Sequence, residues 1–143
     1  MLYIQEKYFN RQIDVLNFLM GLDEFEVIIW LYPESKLKHL FGFELLHCDR
    51  YQGKPVTEYN DSDVIIRRTD RQKLTSSFIT RIIESKRIFI QNCDSSVLYK
   101  PGENDWYAST IGHEGVFIVT EDNKQNELIL NGFKASLEKP DFW

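Results

Sequence analysis

The sequence predicts an α+β domain, a mainly antiparallel sheet with two principal helices packed on one face. Three observations lead there. Two segments carry the 3.6-residue apolar period of an amphipathic helix. Several short β-branched and aromatic runs, bounded by Gly, Pro, Asn and Asp, read as strands and crowd the second half of the chain. The regular strand–helix alternation that a parallel sheet requires is missing. At 143 residues the chain fits one domain, 1–143, large enough to build a core without disulfide or metal staples. Linkers, internal repeats and low-complexity segments are not in view.

Tyr3 and Ile4 open a short strand. Phe9, Ile13, Leu16 and Met20 recur at helical spacing and predict a helix over Lys7–Met20, with Gly21 as its stop. The run from Val27 to Tyr32, ended by Pro33, predicts a buried strand. Ser35 to Cys48 fits both periods, and a short helical turn followed by a strand from about Phe41 is expected. Asp49 to Asp63 has loop composition, and Val64–Ile66 reads as a strand. Leu74, Phe78 and Ile82, widened by Ile79 and Ile83, predict a helix from Arg71 to about Glu84 with Thr69 or Asp70 as its N-cap. Ile88, Phe89 and Ile90 alternate, so Arg87 to Asn92 is expected to be a strand. Val97–Tyr99, Trp106–Ala108 and Val116–Val119 follow as further strands. The polar run Asp122–Asn126 is expected to close a hairpin onto Leu128–Leu130. Pro140 to Trp143 has no clear period.

Composition narrows the function classes. Hydrophobic residues make up 43% and aromatics 14%, which excludes a disordered polar chain. No apolar run approaches the roughly 20 residues that cross a bilayer, and no basic-then-apolar leader opens the sequence. Cys48 and Cys93 are too few for a disulfide framework and read as thiols in a reducing cytosol, so a cytoplasmic protein without membrane association is expected. The net charge of −5 disfavours nucleic acid as a partner. That charge is uneven. Residues 61–100 carry 8 basic against 5 acidic side chains, and residues 101–143 carry 3 against 8.

Motifs for the common chemistries are absent: no phosphate-binding Gly-rich loop, no H-E-x-x-H or C-x-x-C, and no G-x-S-x-G. No cofactor and no metal is therefore expected. A site drawn from His47, Cys48, Asp49, Cys93 and His113 would lack ligand spacing. His113 and Glu114, between Gly112 and Gly115, offer a general-base reading, with Glu114 or a remote Asp orienting the imidazole, but an exposed turn whose glycines supply positive φ is the preferred account of them. His39 reads as a surface residue. Arg67, Arg68 and Arg71 could meet phosphate, but in an acidic protein such a cluster is more often a salted surface. Loop aromatics Tyr51, Tyr59, Tyr99, Trp106, Tyr107, Phe142 and Trp143 are candidates either for core or for docking. Trp106-Tyr107 follows Glu103-Asn104-Asp105, a large rigid anchor beside acids. With Glu114, Glu121 and Asp122 these residues (Glu103, Asp105, Trp106 and Tyr107) make up the predicted partner-binding set.

In its general profile the sequence resembles bacterial immunity proteins that neutralise polymorphic or contact-dependent growth-inhibition toxins, which are small, acidic α+β proteins without catalytic motifs. The resemblance rests on composition and carries no signature residue. It implies a non-enzymatic module that binds one cognate toxin, or another basic protein, and occludes the active site of its target. Two other readings compete: a small hydrolase or transferase using His113 with a carboxylate, and a subunit that self-associates through an exposed sheet edge.

Overall fold

The computed structural model describes residues 1–48, 66–111 and 114–141. Within them the chain is α+β, and each strand pairing is antiparallel. The elements are β1 (Leu2–Gln5), α1 (Phe9–Leu22), β2 (Glu26–Leu31), β3 (His39–Leu40), β4 (Phe43–Glu44), β5 (Leu46–Cys48), β6 (Ile66–Arg68), β7 (Gln72–Lys73), α2 (Ser76–Glu84), α3 (Lys86–Asn92), β8 (Cys93–Tyr99), β9 (Trp106–Ile111), β10 (Val116–Val119), α4 (Gln125–Leu130) and β11 (Ala135–Ser136). The main sheet runs β11-β1-β10-β9-β8-β2-β6-β5, with β7 also on β2, and β3 and β4 form a separate hairpin.

Strand β2 explains why the sheet is two-sided. Val27, Ile29 and Leu31 enter the larger core cluster, together with Ile13, Leu16 and Leu19 of α1, Phe78 and Ile82 of α2, and Leu128 of α4. Ile28 and Trp30 alternate to the opposite face and join Ile66, Val97 and Tyr99. A continuous apolar run fits a strand buried on both sides. Two irregularities interrupt the central register, at Trp30/Leu31 against β8 and at Leu98/Tyr99 against β9; each bends the sheet locally.

The structure corrects several expectations. There are four helices among the described residues rather than two principal ones. Gly21 lies inside α1, which continues to Leu22 and ends at Asp23, whose N–H reaches the Leu19 carbonyl at 3.3 Å. No helical turn precedes Phe41. Phe41 and Gly42 have φ of 52° and 81°, the positive pair of a two-residue hairpin turn. Phe41 tolerates that conformation because its ring packs edge-on to Phe78 at 5.7 Å and stacks on Phe89 at 6.4 Å.

The second helix begins five residues later than expected. Thr69 is not its cap: it is fully buried, and its Oγ1 accepts from the Ile29 N–H at 2.9 Å. Gln72 and Lys73 are held on β2 as β7, so Thr75 caps α2 instead, accepting from Phe78 N–H at 3.1 Å. The expected strand over Arg87–Asn92 is the helix α3. Phe89 turns to the core, with its ring 6.1 Å from Phe9, and Ile88 and Ile90 flank it. The expected hairpin after β10 is a 3-10 turn over Asp122–Lys124 leading into α4, which buries Leu128. The loop expected over Asp49–Asp63 lies outside the described residues.

Candidate functional site: the acid-rich end of the sheet

Antiparallel pairing decides which charged residues meet. Tyr99 pairs with both Glu26 and Trp106, and Val119 pairs with Ala108 and Leu2. The start of β2, the β8–β9 turn and the exit of β10 therefore share one end of the sheet. Asp23, Glu24, Glu26, Glu103, Asp105, Glu121 and Asp122 gather there. Glu114 does not. It precedes Val116, which pairs with Gln5 and Ile111 at the opposite end. The predicted partner-binding set is thus split, with Glu103, Asp105, Trp106, Tyr107, Glu121 and Asp122 together and Glu114 apart by the length of β10.

Lys100 organises the acidic end. Its Nζ lies 3.0 Å from Glu121 Oε1 and 3.9 Å from Asp23 Oδ2, and 5.2 Å from the centre of the Tyr107 ring. The bond to Glu121 holds the Lys100 ammonium above the ordinary lysine range against desolvation, with the charges of Glu121, Asp23 and Glu103 adding to it. Tyr107 donates from its hydroxyl to Glu121 Oε2 at 3.2 Å. Burial, then the Glu121 carboxylate, pushes that phenol well above its usual value.

Tyr107 is therefore a core residue. It is 6% exposed, and its ring lies 4.8 Å from that of Phe25. Only its hydroxyl reaches the acidic end, so it cannot serve as a wide docking anchor. Trp106 is half-buried, leaning on the second cluster beside the exposed Asp105. Asp122 Oδ1 is 2.9 Å from the Met1 ammonium. Arg71 ties Glu26 to the β8–β9 turn, bonding the carboxylate at 3.1 Å and the Lys100 carbonyl at 2.9 Å. Glu24, Glu103 and Asp105 are exposed and have no ion-pair partner among the described residues.

The opposite end offers a different environment. Glu114 lines a cavity of about 340 Å³ with Gln5, Glu6, Lys7, Tyr8, Gly115 and Lys134. Most of these lining residues have polar side chains, and both signs of charge are present. His113 itself lies outside the described residues, as do Tyr51, Tyr59, Phe142 and Trp143. His39 and His47 are exposed on β3 and β5. Among the described residues no group of three or more His, Cys, Asp or Glu could hold a metal ion, and no helix is long and apolar enough to cross a membrane.

The arginine cluster is spent on the fold. Arg67 donates to the Ser35 carbonyl at 2.9 Å, Arg68 to the Thr69 carbonyl at 3.0 Å, and Arg71 covers the Tyr99 ring at 4.3 Å. Cys93 is buried, and desolvation, followed by the neighbouring Asp94, drives its thiol far above the ordinary range. A thiol held protonated in this way is inert as a nucleophile.

Sequence reading missed Asp23, Glu24, Glu26 and Lys100 as members of this site. Their signal was position rather than composition, since each borders a strand whose neighbours in the sheet are distant in sequence. No family model, curated protein or solved structure matches the chain.

Proposed function

We propose that the protein is a non-enzymatic binding module whose acid-rich sheet end docks a basic protein partner, in the manner of an immunity protein occluding a toxin domain. One observation carries the reading: at this end of the sheet Glu24, Glu103 and Asp105 are exposed and, among the described residues, without ion-pair partners, and the half-buried Trp106 directly follows Asp105. Unpaired carboxylates around a large aromatic give the polar rim and anchor of a docking surface. They also steer a cationic partner and speed its encounter. The ion pairs of Lys100, to Glu121 and Asp23, leave Glu24, Glu103 and Asp105 out. A cytosolic setting belongs to this reading.

The test is capture of the stoichiometric partner from lysate and from competing strains, followed by binding kinetics with variants. Glu103→Lys combined with Asp105→Lys is expected to slow association by about tenfold or more at low salt, with the difference shrinking as salt rises. Trp106→Ala should raise the dissociation rate. Glu114→Lys, at the far end, should leave both rates within twofold. Unchanged binding in the Glu103/Asp105 variant, or a partner lost through Glu114→Lys instead, refutes the assignment.

A further inference from the structure

A cavity of about 20 Å³ lies where the start of α1 and the middle of α3 cover the sheet. Register explains its polar side. Ser96 pairs with Ile29, and Thr110 with Phe117. Paired residues share a face of the sheet, so both hydroxyl-bearing side chains turn towards the first core cluster, to which Ile29 and Phe117 belong. Gln12 borders the cavity from α1, and Phe9, Phe89 and Phe117 supply apolar walls. Ser96 and Thr110 are buried. Among the described residues the Ser96 hydroxyl makes no hydrogen bond, and neither does Gln12 Oε1, although Gln12 Nε2 donates to the Glu6 carbonyl at 3.0 Å. Thr110 Oγ1 accepts from the Ser96 N–H at 2.8 Å and has its own proton still to give.

Size and chemistry select the occupant. Organic ligands fill pockets of about 300 Å³ or more, whereas about 10–15 Å³ suffices for one water. None of the lining residues is charged, so an ion would enter without a counter-charge. A dry cavity would leave the Ser96, Thr110 and Gln12 groups unpaired, each at a cost. One water satisfies all of them. It accepts from the Ser96 and Thr110 hydroxyls and donates to Gln12 Oε1, the three bonds typical of a buried water. We infer that a single ordered water is held in this cavity as part of the core, tying α1 through Gln12 to β8 through Ser96 and to β9 through Thr110.

Oxygen-17 magnetic relaxation dispersion on the full chain counts long-lived waters and tests this directly. Ser96→Thr keeps the hydroxyl and adds a methyl of roughly one water's size. It is expected to hold one long-lived water fewer than the wild type. Its melting temperature should fall by about 2–5 °C, because Gln12 and Thr110 lose their partner. Ser96→Ala leaves the space but removes one of the water's bonds, and it too should melt lower, with an unchanged far-UV spectrum. An equal water count in wild type and Ser96→Thr overturns the inference. So does either variant melting at or above the wild type, which is the outcome for a dry cavity: there an added methyl fills a void, and a deleted hydroxyl removes an unpaired group.

Discussion

Truncating Tyr107 separates a core role from a docking role at the acidic end. Tyr107→Ala removes a ring that is 6% exposed and 4.8 Å from the Phe25 ring. Large-to-small aromatic truncations in a core cost about 3–5 kcal/mol, and the ring pair places this one in the middle of that range. Tyr107→Phe isolates the hydroxyl. The hydrogen bond to Glu121 Oε2 at 3.2 Å involves a charged acceptor, worth about 1.5–3 kcal/mol in full burial. Because the Glu121 side chain is 36% exposed, water replaces much of the loss, and about 1 kcal/mol is expected. Urea unfolding followed by circular dichroism reads both, the m-value staying constant while the midpoint falls. The expected order is a loss of about 4 kcal/mol for the alanine variant against about 1 for phenylalanine. An alanine variant within about 1 kcal/mol of wild type would place the ring outside the core and return Tyr107 to the docking surface.

Gly115 has φ of +66°, and a Cβ there would lie 2.8 Å from the Lys7 Cα. Gly115→Ala is therefore expected to lose about 2–4 kcal/mol by thermal unfolding, whereas Gly132→Ala, with φ of +84° but 3.9 Å of clearance to an Arg11 side chain, should lose only about 1–2. Tyr107, Cys93 and Lys100 all have raised values in the folded chain, so the folded state holds protons that the unfolded state releases first. The stability they supply is complete below pH 9 and falls as pH rises past the unfolded values of 9.0 for Cys93, 10.0 for Tyr107 and 10.5 for Lys100. Each fully buried group contributes a slope of up to about 1.4 kcal/mol per pH unit, with the half-buried Lys100 contributing least. Melting temperatures measured between about pH 7 and 11 should decline on the alkaline side, and the decline should be shallower in Cys93→Ala. A flat profile would contradict the burial of both groups.

Residues whose pattern extends over several turns or a full strand were legible without a structure. The spacing of Phe9, Ile13 and Leu16 survives as α1, and the unbroken Val27–Leu31 run survives as β2, because each carries enough apolar side chains to dictate its own burial. Short runs did not carry that information. Ile88-Phe89-Ile90 alternates over three residues, too few to distinguish a strand from a helix. The outcome is set by Phe9 and Phe41, which offer a pocket for Phe89 alone. Thr69 looked like a cap because its hydroxyl accepts hydrogen bonds; tertiary pairing gave that acceptor to the Ile29 amide instead.

The candidate site divides in the same way. The acidic excess of residues 101–143 is a property of the chain and needs no fold to be seen. Strand order alone determines that Asp23 and Lys100 stand with Glu121, while Glu114 goes to the other end. In an antiparallel sheet, residues at the two ends of one short strand are separated by its whole length, and residues far apart in sequence become neighbours at a turn. Composition therefore determined the charge of the surface, and tertiary pairing determined which carboxylates were neutralised and which were left facing water.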